Sequence, residues 1–397
     1  MYFSTLSTKK FNLFKKSFLK RKIHTVIAHQ SKNDYYNLLQ NAKQNGKKLV
    51  VQIAPAVRVA ISEGYNFKPG TISPQQLVTG LKHIGFDYVF DTLWSADVTI
   101  IEEGTEFLTR LSQGELNNLP MFTSCCPGWI QLAEQSFPDI LPNISTTKSP
   151  MMIMGATIKN ILPKIFDINK NDILSVAIMP CVRKQGEADR QQKEKDVDLV
   201  ITTNDIITLF DENKIDLPNL HEQEFDNPFG CGTGGSVIFG KSKGVMIAAL
   251  RFAYLLLTKE QLNEIQFEPV EDLKDVVEAT ITLTPTSDNE FNMPPEEISF
   301  KVAVVAGLGG AKRFIEYLQQ MQQMKIPKSQ YKFVEIMACP QGCVSGAGNP
   351  IVKKNKQIIQ ERADALTLID KKSQLKASQE NKSVLQIYQQ HIGKANN

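Results

Sequence analysis

The chain has 397 residues, of which 42% are hydrophobic and 22% charged, as in an ordinary globular protein with one large or two smaller domains. No apolar run reaches the roughly 18 residues that a membrane span needs, so we expect a soluble protein without a membrane partner. Six cysteines in so long a chain exclude a small secreted disulfide scaffold.

Residues 1–33 differ from the rest of the chain in charge. They carry eight lysines and arginines, no acidic residue, and several large apolar side chains among the lysines. Such a start predicts an organellar transit peptide that is removed. A nucleic-acid-binding arm and a disordered tail are the alternatives; we expect no nucleic acid as a partner.

Strand-like apolar runs alternate with helical patterns along the chain. The first run starts at Lys47 and ends in a turn at Pro55, and a helix is predicted around Pro74–Ile84. The later strand-like runs are Phe86–Phe90, Met121–Ser124, Leu174–Met179, Val197–Thr202, Phe300–Ala306 and Phe333–Met337. This alternation predicts an α/β fold with parallel strands, and the number of strands predicts two sheets.

Loops and a polar C-terminal segment interrupt and follow this pattern. Residues 210–232 and 284–297 are rich in Asn, Asp, Pro and Gly, which predicts loops. Beyond Pro350 the chain is rich in Lys and Gln, and its apolar spacing predicts short helices that pack on the main body. We expect the last residues, 393–397, to be frayed.

Four cysteines lie directly after strand-like runs, at Cys126, Cys181, Cys339 and Cys343. Ligands of open α/β sheets bind where parallel strands end, so we expect the four thiols to converge. Four thiolates are what one 4Fe-4S cubane needs. Zinc is the competing metal, but the spacing is Cys-x3-Cys and the five histidines do not cluster. Cys231 is interpreted as a small buried apolar residue.

Three charged residues of one predicted helix share a face. Glu103, Glu106 and Arg110 are spaced i, i+3 and i+7, which places them on the same side. From the residues alone, this face is either solvated or part of a proton path.

The segments around the cysteines resemble the three signatures of the catalytic domain of the FeFe (iron-only) hydrogenases, in the same order. They read TSCCPGW at Thr123–Trp129, MPCVRK at Met179–Lys184 and MACPQGC at Met337–Cys343. The resemblance extends from about Leu49 to the C-terminus. It implies two lobes of parallel sheet flanked by helices, with a metal cluster in the cleft between them. The expected domains are a transit peptide (1–33), a catalytic domain (34–350) and a helical segment similar to a small subunit (351–397).

The resemblance also implies the cofactor and its ligands. Cys126, Cys181, Cys339 and Cys343 would hold a 4Fe-4S cubane, and Cys343 would bridge it to a di-iron unit with CO, cyanide and a bridging dithiolate. Lys184 would bind a cyanide, which suits a buried ammonium because burying a charge without a partner is costly. The residues that match those packed around the di-iron unit are Pro55, Ala56, Met179 and Met337.

The family's proton path falls on residues of this chain. Glu106, near the surface, would pass a proton through Ser145 to Glu103 and then to Cys125, with Arg110 beside Glu106. Cys125 would therefore be a proton relay and no metal ligand.

Two glycine-rich motifs offer rival interpretations. Gly235–Ser242 satisfies GxxxxGK[ST], the motif of a P-loop ATPase, but a Gly-rich loop precedes it where a strand is required, and a strand-like Val-Ile-Phe lies inside it. Residues 305–312 lack the third glycine of a dinucleotide motif, so they predict a plain strand-to-helix turn.

The chain departs from the family pattern at four positions. Met151 replaces a Gln, Ile247 a Glu, and Ser345 and Ala347 two glycines near the cluster, where a Cβ is crowded.

The expected function is that of a reversible hydrogenase, 2H⁺ + 2e⁻ ⇌ H₂, working toward H₂ formation. Reduced ferredoxin would be the donor, maturation proteins would be partners, and the location would be the matrix of a hydrogenosome or another anaerobic mitochondrion-related organelle. No cysteine precedes Cys125, so we expect the donor to dock directly over the cubane. A non-catalytic iron–sulfur cluster assembly factor is the alternative.

Overall fold

The computed structural model describes residues 34–190, 194–324, 330–352 and 357–392. The strands are β1 Lys48–Ile53, β2 Tyr88–Asp91, β3 Met121–Phe122, β4 Ile173–Met179, β5 Leu199–Thr202, β6 Glu268–Val270, β7 Leu273–Leu283, β8 Ile298–Ala306 and β9 Tyr331–Met337. The predicted transit peptide and the predicted frayed tip lie outside the described residues.

Helices connect and cover the strands. They are α1 Asp34–Gln44, α2 Pro55–Ala60, α3 Pro74–Ile84, α4 Thr92–Ser112, α5 Pro127–Ser136, α6 Pro150–Asn160, α7 Leu162–Phe166, α8 Arg183–Ala188, α9 Thr203–Glu212, α10 Gly234–Val237, α11 Gly244–Thr258, α12 Gly307–Gln323, α13 Gln357–Lys372 and α14 Lys382–Ile387. Among the described residues, no helix is both long and apolar enough to cross a membrane.

The strands form two sheets, which confirms the predicted α/β architecture. The first sheet has the order β2-β1-β4-β5, and all its pairs are parallel. The second has the order β3-β9-β8-β7-β6, in which β3, β9 and β8 are parallel while β7 and β6 are antiparallel to their neighbours. The prediction of parallel strands alone therefore missed the antiparallel edge of the second sheet.

Four strands lead into the site, and each sheet contributes two of them as direct neighbours. In the first sheet, β1 and β4 are neighbours, and their carboxyl ends lead to α2 and to the Cys181 segment. In the second sheet, β3 and β9 are neighbours, and they lead to the Cys126 and Cys339 segments. All four strands are buried, so each sheet holds its exit loops on a rigid base.

Helix α4 is the longest connection near the site, with 21 residues. Asp91 caps its first turn by accepting a hydrogen bond from the backbone N–H of Leu93 at 3.0 Å. The Arg58 guanidinium of α2 binds the same carboxylate at 2.5 Å, and both side chains are nearly fully buried. This buried ion pair fixes α2 against the start of α4.

The predicted loops are largely confirmed. Residues 284–297 form no helix or strand, whereas 210–212 belong to the end of α9. The predicted C-terminal helices are present as α13 and α14.

Candidate metal-cluster site

Contacts between distant segments bring the three cysteine segments together. The Cys126 thiol accepts a hydrogen bond from the backbone N–H of Ala338 at 3.4 Å. The backbone N–H of Gly348 donates to the carbonyl of Pro180 at 2.9 Å, and the Lys184 ammonium donates to the carbonyl of Cys125 at 3.1 Å. Each segment therefore touches at least one of the others.

Two glycines are required where the segments cross. A Cβ on Gly346 would lie 2.3 Å from the carbonyl oxygen of Pro180. Gly342 has a φ of +79°, and a Cβ there would lie 2.5 Å from the backbone nitrogen of Ser242. Such distances are shorter than any real contact, so only glycine lets the turns after Cys339 and Cys343 pack against Ser242 and Pro180, respectively.

The electrostatics of the thiols show that they form one group. Burial, together with the nearby Cys126 and Cys181, raises the pKa of Cys339 to about 11. Burial and repulsion from the other three thiols likewise raise the pKa of Cys343, and burial is the main cause of the raised pKa of Cys181. Thiolates that repel one another in a buried site are stabilised by bound metal cations, so this donor set fits an iron–sulfur cluster.

A site for a single zinc ion is not formed among the described residues. A zinc ion holds its thiolates about 2.3 Å away, which brings the sulfur atoms close together. Among the residues that the structure describes, no three Cys, His, Asp or Glu side chains converge in this way. In a cubane each iron carries its own thiolate, so the four sulfur atoms lie farther apart.

Lys184 is an ammonium held inside the site. The residue is 8% exposed, and its ammonium donates to Glu187 at 2.7 Å as well as to the carbonyl of Cys125. Burial lowers the pKa of Lys184, but the Glu187 carboxylate outweighs this effect and the net shift is upward, so the ammonium is charged at neutral pH. An ammonium has three donors, and the described residues supply these two acceptors, which leaves one donor for an anionic ligand.

Glu187 was not predicted as a site residue, although it lies three residues after Lys184 on α8. The i, i+3 spacing of a lysine and a glutamate on one helix could have predicted this ion pair from the sequence.

The predicted proton-path residues lie together beside Cys125. Glu106 accepts hydrogen bonds from Arg110 at 2.6 Å and from the Ser145 hydroxyl at 3.0 Å. Its side chain is 16% exposed, so it lies near the surface. Thr146 also donates to Glu106 through its backbone N–H at 3.0 Å, a contact that the sequence did not predict.

Glu103 lies deeper and is fully buried. One carboxyl oxygen accepts a hydrogen bond from the backbone N–H of Ser124 at 3.3 Å, and the other is buried without a hydrogen-bond partner among the described residues. Burial, with repulsion from Glu106, raises the pKa of Glu103 to about 8. A carboxyl group with this pKa exchanges its proton near neutral pH, as a relay requires. Burial and the nearby Glu103 also raise the pKa of Cys125.

The residues predicted to pack around the cluster are buried at strand exits. Pro55 and Ala56 begin α2, and the backbone N–H of Ala54 donates to the carbonyl of Ile178 at 3.1 Å. Met179 and Met337 end β4 and β9 and are 2% and 3% exposed. Both thioethers also belong to the hydrophobic cores, so packing alone accounts for their burial.

The four departures from the family pattern are accommodated in different ways. Ala347 is exposed, and the Ser345 hydroxyl donates to the carbonyl of Gly342 at 2.9 Å; neither residue has a positive φ. Their Cβ atoms therefore fit, contrary to the crowding that we expected. Ile247 is partly exposed, and Met151 is buried at the start of α6.

The P-loop motif does not form a P-loop. Residues 224–232 before it form no strand, and the strand-like residues 237–239 are helical, contrary to the interpretation from sequence. Lys241 donates to the hydroxyl of Thr367 at 2.9 Å. The glycine run at 307–310 begins α12 directly after β8, as predicted. Cys231 is exposed, so its interpretation as a buried residue was wrong.

Comparison with protein families decides the classification. The model of the iron-only hydrogenase large subunit, C-terminal domain, matches residues 47–347, and that of the iron hydrogenase small subunit matches residues 356–397. The chain belongs to the iron-only hydrogenase family. The resemblance of the three cysteine segments is thereby confirmed.

Individual relatives include both hydrogenases and assembly factors. Iron hydrogenase 1 of Clostridium pasteurianum is 35% identical over 377 residues, 93% of this chain and 62% of that protein, so the chain spans less than two thirds of this relative. The apo FeFe-hydrogenase of Chlamydomonas reinhardtii has a TM-score of 0.78 at 40% identity, covering 89% of this chain and 94% of that one. A cytosolic Fe-S cluster assembly factor of Danio rerio is 30% identical over 355 residues, 85% of this chain and 82% of that protein.

Proposed function

We propose that the protein is a hydrogenase that catalyses 2H⁺ + 2e⁻ ⇌ H₂ and works toward H₂ formation. The observation that carries this proposal is the grouping of four candidate cluster thiols with Cys125, the buried Lys184 ammonium and a chain of proton-carrying side chains. A protein that only held a cubane would need the four thiols but neither a buried ammonium with a free donor nor a proton path.

The site would hold a 4Fe-4S cubane and a di-iron unit with CO, cyanide and a bridging dithiolate. Cys126, Cys181, Cys339 and Cys343 would bind the cubane, with Cys343 as the bridge. When bound, these groups would store electrons and supply the iron at which protons are reduced. Lys184 would donate its remaining hydrogen bond to a cyanide.

Burial around the site would exclude bulk water. Pro55 and Ala56 of α2, with Met179 and Met337, would form apolar walls. These walls lower the local dielectric, which strengthens the interaction of the Lys184 charge with an anion.

The proton path would begin at Glu106. Glu106 would be the entry point for protons from solvent, and Arg110 holds its carboxylate in place. The Ser145 hydroxyl, already hydrogen-bonded to Glu106, would pass the proton inward to Glu103. Glu103, with its pKa of about 8, would then pass the proton to Cys125, which would relay it to the cofactor.

Reduced ferredoxin is the proposed electron donor. Val182 and Arg183 follow the ligand Cys181 and are both exposed; Val182 is 43% exposed. An apolar and a basic side chain beside a cluster ligand suit the docking of an acidic redox protein directly over the cubane. Arg183→Glu should raise the KM for ferredoxin and leave H₂ formation from a small viologen dye unaltered; equal effects on both donors would contradict this docking site.

Maturation proteins would insert the di-iron unit, and the protein would work in the matrix of a hydrogenosome or related organelle. Support for this location is the basic, acid-free composition of residues 1–33. Fusion of these residues to a fluorescent protein should direct it to the organelle, and a cytosolic signal would contradict the location.

The test of the activity is H₂ formation by protein that has been co-expressed with hydrogenase maturation proteins and purified without oxygen. The expected result is H₂ release from a reduced viologen dye, lost in Cys343→Ser. Lack of H₂ from protein with an intact cubane would favour the second candidate, an assembly factor, which the relative from Danio rerio supports.

A further inference from the structure

One buried arginine of the C-terminal segment contacts the turn that follows the last candidate ligand. Arg362 lies on α13 and is 1% exposed. Its Nε and Nη2 atoms donate to the two carboxyl oxygens of Glu63 at 2.6 and 2.7 Å. Its Nη1 donates to the carbonyl of Val344 at 2.7 Å, and Nη2 also donates to the carbonyl of Pro350 at 2.8 Å.

These two carbonyls lie at either end of the turn that begins at Cys343. Inside the turn, the Asn349 amide donates to the carbonyl of Cys343 at 2.9 Å, and its oxygen accepts from the Thr203 hydroxyl at 2.8 Å. Arg362 therefore closes the turn from the outside while Asn349 closes it from within.

The chemistry of the contact suits a rigid attachment. The planar guanidinium presents five donors in a fixed geometry, so it can bind a carboxylate and two carbonyls together. Glu63 neutralises the charge of the guanidinium, which lowers the free-energy cost of burying it. The bonds to the carbonyls are charge-assisted and therefore stronger than ordinary backbone hydrogen bonds.

We propose that Arg362 is a positioning residue for Cys343. The C-terminal segment would then help to hold a cluster ligand in place, in addition to packing on the main body. This inference rests on the proposed role of Cys343 as a cluster ligand. It requires neither the di-iron unit nor hydrogenase activity. Failure of the proposed hydrogenase function would therefore leave the role of Arg362 standing, and the reverse also holds.

A matched ion pair on the same helix provides the control. Arg251 of α11 binds Asp370 of α13 through two hydrogen bonds of 2.9 Å. This pair attaches α13 to the main body, as the Glu63–Arg362 pair does, but its hydrogen bonds do not go to the Cys343 turn. A merely structural role for Arg362 predicts the same effects from disrupting either pair.

The test compares Glu63→Gln/Arg362→Met with Asp370→Asn/Arg251→Met, because neither double variant leaves a buried charge unpaired. The readout is hydrogen exchange in the cluster-free protein at the backbone amides of Gly346, Gly348 and Asn349, which donate within and beside the turn. Loss of the Arg362 contacts should speed exchange at these amides about tenfold or more. The control should change it by about twofold at most.

Arg362→Lys is the second variant in case the double variant does not fold. An ammonium keeps the charge opposite Glu63 but cannot reach both carboxyl oxygens and both carbonyls, so the same amides should exchange faster by a smaller factor. Unchanged exchange in both Arg362 variants, or an equal effect in the control, would overturn the proposal.

A second readout uses protein reconstituted with iron and sulfide alone. The electron paramagnetic resonance spectrum of the reduced cubane should differ from that of the parent protein in the Arg362 variants and not in the Arg251 control. Identical spectra in all variants would show that Arg362 does not position Cys343.

Discussion

Replacement of Glu103 by Gln tests the deepest step of the proton path, because it removes the exchangeable carboxyl proton and keeps the shape of the side chain. The pKa of Glu103 is raised from 4.5 to about 8. Between these values the folded protein holds a proton that the unfolded chain releases, so the free energy of unfolding falls as pH rises. Gln carries no such proton, and the stability of the variant lacks this pH dependence.

The size of the effect follows from the shift. One pKa unit corresponds to about 1.36 kcal/mol, so the full shift amounts to at most roughly 5 kcal/mol. Glu103→Gln should therefore match the parent protein near about pH 5 and exceed its free energy of unfolding by up to roughly 5 kcal/mol near about pH 9. The measurement is urea unfolding of the cluster-free protein at both pH values.

Glu115→Gln is the control, because it removes the same charge from an exposed side chain and should alter stability little at either pH. In the matured enzyme, Glu103→Gln should lower H₂ formation by about 10² to 10⁴, the usual loss for a positioned proton-transfer group. A stability difference between Glu103→Gln and the parent that is independent of pH would refute the shifted pKa. Undiminished H₂ formation would refute the path.

Three further predictions concern the neighbouring thiols, the buried ammonium and the P-loop motif. Cys125→Ala should keep the iron content and lower H₂ formation by about 10² or more, whereas Cys126→Ala should lose the cubane; the reverse pattern would exchange their roles. Lys184→Met should destabilise the cluster-free protein by about 3 to 5 kcal/mol in urea unfolding, because it removes the ammonium that neutralises the buried Glu187 carboxylate, and an unchanged free energy of unfolding would show that this ion pair does not stabilise the fold. Mg-ATP should not raise the Tm, because the motif does not form a P-loop. A nucleotide that bound there would add about 2.7 kcal/mol to the free energy of unfolding at 100 times its Kd, so an upshift that Lys241→Ala abolishes would contradict the structure of this segment.

The features that the sequence predicted well carry local signals. Helix α3 has the predicted bounds, because Ser73 and Gln76 form a capping box at its start and Gly85 ends it with a φ of +111°. The strands before the cysteine segments are short and mostly apolar, as the strands of a buried parallel sheet are. The carboxyl ends of β3 and β9 are adjacent, as expected for parallel neighbours, whereas β4 lies in the other sheet.

Most of the missed features depend on distant parts of the chain. Strand β7 alternates apolar residues with charged and polar ones and pairs antiparallel with β8 across the loop 284–297. Residues 237–239 are an apolar run too short to distinguish a strand from a helix. Arg362 could not be assigned because its partner Glu63 is 299 residues away in sequence. Such pairs are determined by the packing of elements and have no local pattern.

Infrared spectroscopy of anaerobically matured protein tests the central claim most directly. Carbon monoxide and cyanide bound to iron absorb in a region where the protein itself is transparent, so their bands report the di-iron unit without reference to turnover. A hydrogenase with the proposed site should show CO and cyanide bands together with one 4Fe-4S cluster per chain. An intact cubane without those bands, after co-expression with maturation proteins that activate a known hydrogenase, would contradict the account and favour the assembly-factor function.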